Sequence, residues 1–225
     1  MRGHWAPATD PRSCDRLGSE ASRSIASVTL WLKARRARQI AASVAAAVIA
    51  IAGVGEIKIS LPVFGELSGL QMPLALLAPV VLVLTLAAGL ANGDPRVEAV
   101  ASRRIALLDA VLVATATAAL AVLCVVIQLV GFSTLGAAAA RNAIGLAGIL
   151  LLCRPLGMRV AAIVPVGFLV FVAAFGSDGT GNPDWWAWAV ASGANSGSWA
   201  IAAALAAAGL LVAWRASPPL ELGSE

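Results

Sequence analysis

Few side chains capable of chemistry lie inside the apolar runs of this chain, and they stand out against their surroundings. The stretch TLGAAAARNAIGLAGILLLCRP, Thr134 to Pro155, places Arg141 and Asn142 among Ala, Gly and Leu. A guanidinium carries five donors in a fixed fork and a permanent charge. In an apolar run it must find acceptors within the protein or reach for the water boundary. Gln128 and Asp109 lie in the preceding run, Gln128 near its end and Asp109 near its start. Groups suited to covalent or metal chemistry do not cluster. The single histidine, His4, sits in a polar leader, and Cys14, Cys124 and Cys153 are far apart with no CxxC pair. No HExxH, P-loop, paired-glutamate or Ser/His arrangement occurs in the apolar runs. The expectation is a protein that is not an enzyme and holds no metal or cofactor. A proton-driven transporter usually carries a carboxylate in mid-span, and the runs offer none.

The elements that position these residues follow from composition. Of 225 residues, 60% are hydrophobic and only 12% charged, with a mean hydropathy of +0.87. Soluble domains are roughly 45–50% apolar and about 25% charged. The chain therefore reads as all-α: a polytopic membrane helix bundle. A span needs about 20 apolar residues, and six stretches qualify: Ile40–Val54, Pro73–Ala91, Ala106–Val130, Ser133–Cys153, Val160–Phe175 and Trp199–Trp214. The first reaches full length only if Ala37 to Gln39 join it. Residues 1–24 read as a disordered cytoplasmic leader rather than a cleaved signal, 25–215 as the transmembrane domain, and 216–225 as a cytoplasmic tail.

The distribution of cations sets an expected orientation. With six alternating spans, every Lys and Arg except Lys58 and Arg141 falls on one side. The positive-inside rule makes that side cytoplasmic, N-in and C-in, and the Ala, Val and Arg bias with few Lys suggests the plasma membrane of a bacterium. The same distribution explains the net charge of +4 without invoking nucleic acid.

Arg141 cannot lie outside the fourth span. Starting after it would leave Asn142 to Cys153, about 18 Å of helix against a core of ~30 Å. Ala137, Arg141, Gly145 and Gly148 share a helical face whose small residues admit a neighbouring helix. That face points Arg141 into the bundle, with snorkelling to the outer headgroups as the competing placement. Asn142, Gln128, Glu56 and Glu66 are all candidate partners. Asp109 is expected at the inner interface, where Arg104, five residues back, is poorly placed to pair with it.

Tryptophans mark candidate interface anchors: Trp31 before span one, Trp185, Trp186 and Trp188 in the glycine-rich loop between spans five and six, and Trp199 and Trp214 at the ends of span six. An aromatic wall facing a ligand is the sharper reading of the loop cluster. Ile57, Ile59 and Leu61, alternating with Lys58 and Ser60, give a weak strand or interfacial signal.

Two cytoplasmic segments could meet a partner. In SIASVTLWLKARRARQ, Ser24 to Gln39, an apolar stripe precedes Lys33, Arg35, Arg36 and Arg38, as in a helix lying in the interface with its cations toward headgroups; a basic stop before the span is the plainer reading. In NGDPRVEAVASRRIALLDA, Asn92 to Ala110, a sharp turn leads to a short helix presenting Glu98, Arg103 and Arg104, with Asp94 near its N-terminus; an ordinary solvated loop is the plainer reading.

Six spans with both ends inside, an amphipathic helix before span one and a Glu-containing helix between spans two and three resemble the permease subunits of ABC-2-type transporters. The resemblance implies that 25–39 is the elbow helix and that DPRVEAVASRRIALLD is the coupling segment, with Asp94, Glu98, Arg103 and Arg104 contacting a separate cytoplasmic ATPase. It also implies a homodimer or heterodimer exporting cargo. The chain departs from that family in being slightly short and in having no obvious re-entrant helical pair before span six. A non-transporting scaffold, assembly or immunity protein in the bilayer is the alternative.

Overall fold

The computed structural model describes residues 29–61, 70–92, 105–176 and 182–216. Six helical stretches in it are long and apolar enough to cross a membrane. They are α1 (Ala37–Val54), α2 (Ala78–Ala91, preceded by a 3-10 turn at Leu74–Leu76), α3 (Ile105–Leu129), α4 (Gly136–Cys153), α5 (Met158–Phe175) and α6 (Ser196–Arg215). Two short antiparallel strands, β1 (Lys58–Leu61) and β2 (Leu70–Pro73), pair between α1 and α2, Ile59 opposite Met72. The all-α expectation is corrected to that extent. Alternation at 57–61 is the period of a strand, and β2 supplies the partner that the sequence did not reveal.

Local chemistry sets the boundaries. A helical segment at 29–34 stops where Arg36 adopts a left-handed backbone, φ 55° and ψ 42°, and α1 then starts at Ala37. The last residues expected in the elbow, 37–39, belong to span one, as its length requires. Pro79 sits in the first turn of α2, where its missing N–H costs nothing. The Asn195 side chain caps α6 by accepting from the Ser198 N–H at 3.1 Å.

The helix α4 is the axis of the bundle: 72% of its span is buried, against 22% for α1, α5 and α6. Its glycines explain how it fits there. A Cβ at Gly148 would lie 2.5 Å from the Ala206 nitrogen, and one at Gly209 would lie 2.7 Å from the Gly148 oxygen. The backbones of α4 and α6 therefore touch, which is how helices associate where lipid removes the hydrophobic drive. Around this seam Leu82, Leu86, Leu120, Leu146, Leu150 and Val172 fill the core.

Contacts among connecting segments define the two ends of the bundle. At one end the residues before α1, the end of α2, the start of α3 and the end of α4 converge. At the other lie the β pair, the α3–α4 turn and the segment before α6.

Candidate functional site

The axis helix carries one buried polar network near each of its ends. The first answers the question posed by Arg141. Its side chain is 0% exposed, five residues into α4, about 8 Å below the helix start. The acceptors are backbone carbonyls of the segment before α6: Nη1 donates to Ser192 O at 2.8 Å, and Nη2 to Ala191 O at 2.9 Å and Ala189 O at 3.3 Å. Asn142, also fully buried, accepts from Nε and Nη2 through Oδ1, while its Nδ2 donates to Ala189 O at 2.8 Å and Leu76 O at 3.3 Å.

These bonds have a purpose set by the chain's path. Residues 184–195 run as turns, not helix, yet Ala187, Trp188, Ala189 and Ala191 are buried within the bundle. Irregular backbone at membrane depth survives only where protein satisfies its polar groups. Arg141 and Asn142 do this by presenting a fork of donors to carbonyls that no helix closes. Interior placement is thus what the geometry gives, with Asn142 as the side-chain partner. Among the described residues no carboxylate reaches Arg141.

Trp188 fixes the same segment. It stacks on Phe168 with ring centroids 5.4 Å apart and lies in a slot opened by Gly145, where any Cβ would overlap its six-membered ring. Gly145 is nine residues into α4, so the indole reaches about 13 Å down the helix. The reading of Trp188 as an interface anchor is therefore corrected: at 3% exposure it is a packing wedge inside the bundle. Its neighbours differ. Trp185 is exposed, and Trp186 is half-buried against Phe171, centroids 5.3 Å apart. Trp199 donates to Gly193 O at 2.9 Å, and Trp214 is exposed at the last turn of α6. Trp31 is half-buried, its indole nitrogen enclosed without an acceptor among the described residues.

Two other candidate partners of Arg141 have different work. Gln128 Oε1 accepts from the Ala137 N–H at 2.6 Å, capping α4 from α3. Glu56 Oε1 accepts from Thr134 N and Oγ1, both at 2.9 Å, and from Ser133 Oγ at 3.2 Å. These bonds stabilise the carboxylate form, and they hold the Glu56 pKa below the ordinary glutamate value, the Thr134 backbone N–H contributing most. Glu66 lies outside the described residues.

The second network is at the opposite end of α4. Asp109, 0% exposed on the first turns of α3, receives a two-pronged bond from Arg35: Nε to Oδ1 and Nη2 to Oδ2, each 2.9 Å. Arg154, just past α4, pairs with Oδ2 of the same carboxylate and reaches Ala106 O at 3.5 Å. Arg35 Nη1 closes the cluster on Leu90 O at the end of α2, at 2.8 Å. The Arg35 carbonyl lies against Gly89, where a Cβ would be 2.6 Å away. One carboxylate thus ties together the entry to α1, the end of α2, the start of α3 and the exit of α4.

Comparison with family models, with curated proteins and with solved structures finds no match to this chain. Functional inference therefore rests on the two networks.

Sequence reading missed the Arg35–Asp109–Arg154 cluster. The signal was present: a lone carboxylate entering an apolar run needs a cation, and the cation count had already put Arg35 and Arg154 on its side. The expected coupling residues Asp94, Glu98, Arg103 and Arg104 lie outside the described residues. Among the described residues no group of three or more His, Cys, Asp or Glu could hold a metal ion.

Proposed function

We propose that the chain is a permease-like transmembrane subunit of an ABC-type exporter, working with a separate ATPase as a homodimer or heterodimer. Both termini face the cytoplasm of a bacterial cell. The observation that carries this reading is the buried Arg35–Asp109–Arg154 cluster. Residues 94–104 precede α3 in the chain, and Asp109 is the first carboxylate after them. A force on that segment reaches Asp109, and through it the entry to α1 and the exit of α4. The helix α4, about 27 Å long, then carries the displacement to Arg141 and the loop it holds. A rod with a polar latch at each end is a means of opening one face while the other closes, the kind of bistable element that coupling requires.

The test is purification of the full chain from its native host in several mild detergents. A nucleotide-binding ATPase chain should copurify with it, and Glu98→Ala should abolish copurification while leaving the amount and melting temperature of the chain unchanged. Absence of any nucleotide-binding chain under all conditions would refute the assignment.

One observation favours the non-transporting scaffold reading. Arg141 and Asn142 direct their donors to this chain's own carbonyls, which seals the end of the bundle around residues 189–192. Under that reading Glu98→Ala leaves the cell's export capacity unchanged.

A further inference from the structure

We propose that the corner between the helical residues 29–34 and α1 binds the phosphate of an anionic phospholipid headgroup, with Lys33, Arg36 and Arg38 as its cationic ligands. The corner forms an open concavity of about 640 Å³ lined by Thr29, Leu32, Lys33, Arg36, Arg38 and Gln39, among others. It lies where the apolar run of α1 begins, so it sits at headgroup depth whichever side of the membrane it faces.

Four observations converge there. First, Lys33, Arg36 and Arg38 are exposed, and none pairs with a carboxylate among the described residues; Arg36 has only the neutral Gln39 Oε1, at 3.5 Å. Their neighbour Arg35 differs, being drawn into the bundle by Asp109. Second, Arg36 is the only non-glycine described with positive φ. Glycine adopts that backbone freely and arginine does not, so a charged side chain stands where the fold alone would favour none. Third, α1 begins with no side-chain cap and no acidic residue in its first turn, which leaves its positive dipole end available to an anion. Fourth, Leu30 is 65% exposed beside the cations, and Leu32 lines the concavity. Apolar surface next to a cationic cradle suits a lipid, whose chains cover the leucines, better than a free anion. Basic recesses at the membrane face recognise anionic headgroups in this way.

The experiment needs no ATPase partner and stands apart from the export reading. The purified full chain in mild detergent is titrated with phosphatidylglycerol, with phosphatidylcholine of the same acyl chains, and with soluble glycerol phosphate. Melting temperature and native mass spectrometry report binding. Phosphatidylglycerol should raise the melting temperature and remain bound as discrete adducts, while the other two should do neither. Arg36→Gly should weaken phosphatidylglycerol binding about fivefold, the effect of one interfacial cation, without lowering the lipid-free melting temperature. Lys33→Gln with Arg38→Gln should weaken it further, and Arg215→Gln, at the last turn of α6 and outside the lining of the concavity, should change nothing. If Arg36→Gly fails to fold, the double variant decides, because its exposed side chains pack in no core. An equal response to phosphatidylcholine or to glycerol phosphate would overturn the proposal. Wild-type affinity in the double variant, or an equal loss in Arg215→Gln, would do the same.

Discussion

Replacing Arg141 with methionine keeps much of the side chain's volume and removes every donor. Three carbonyls then lose the guanidinium. Their losses are unequal. Ala189 O keeps the Asn142 amide at 2.8 Å, and Ser192 O is only part-buried, so water replaces its donor. Ala191 O is buried and loses its bond outright. An orphaned buried acceptor costs about 1–3 kcal/mol, and each lost bond to a charged donor about 1.5–3 kcal/mol before compensation. Removing the charge itself returns several kcal/mol of desolvation. Because Asn142 and water make good two of the three losses, and the returned desolvation offsets the orphan cost, the one uncompensated bond to the charged donor sets the net: loop docking weakens by about 1.5–3 kcal/mol, roughly a 10- to 150-fold rise in the fraction of chains with residues 187–192 out of the bundle.

That magnitude favours local opening over global unfolding, and the assay follows from it. Ala189 is 0% exposed, so a cysteine there, with Cys14, Cys124 and Cys153 replaced, should resist a membrane-impermeant maleimide. In the Arg141→Met background the same cysteine should be modified at least tenfold faster. Equal protection in both backgrounds, with melting temperatures within a degree or two, would show that the guanidinium does not hold the loop.

Other outcomes follow from the same geometry. Gly145→Ala puts a methyl into the Trp188 ring. It should destabilise the bundle by about 1–3 kcal/mol, and Trp188→Leu in the same chain should recover part of this, as measured by detergent-based thermal unfolding. Asp109→Asn removes the buried carboxylate that Arg35 and Arg154 share; a loss of about 3–5 kcal/mol is expected, and a melting temperature equal to wild type would contradict it. The lowered pKa of Glu56 means that its bonds to Ser133 and Thr134 stabilise the fold above the unfolded glutamate value of about 4.3, with the gain lost as pH falls through the lower folded value. Melting curves taken between about pH 6 and pH 3 should therefore fall less steeply for Glu56→Gln than for wild type.

Much of this architecture can be read directly from the sequence, because a bilayer-sized apolar run has few other uses. The length argument that forced Arg141 inside the fourth span needed only the rise of a helix and the thickness of a membrane, and the small residues on its face indicated that it pointed inward. What could not be read was the identity of its acceptors, since backbone carbonyls leave no trace in residue types. The segment 184–195 looked like an outer loop with an aromatic belt for the same reason. Its burial depends on Gly145 opening a slot for Trp188, a pairing 43 positions apart in the chain that no local period reveals. Asp109 is the reverse case. Its partners were visible as cations on the right side, and only the bias toward near neighbours on one helix directed attention to Arg104. Charges entering apolar runs are satisfied by whatever the tertiary fold brings near. Here the fold brings one arginine from before the first span and another from after the fourth, and their shared carboxylate joins segments that the sequence keeps far apart.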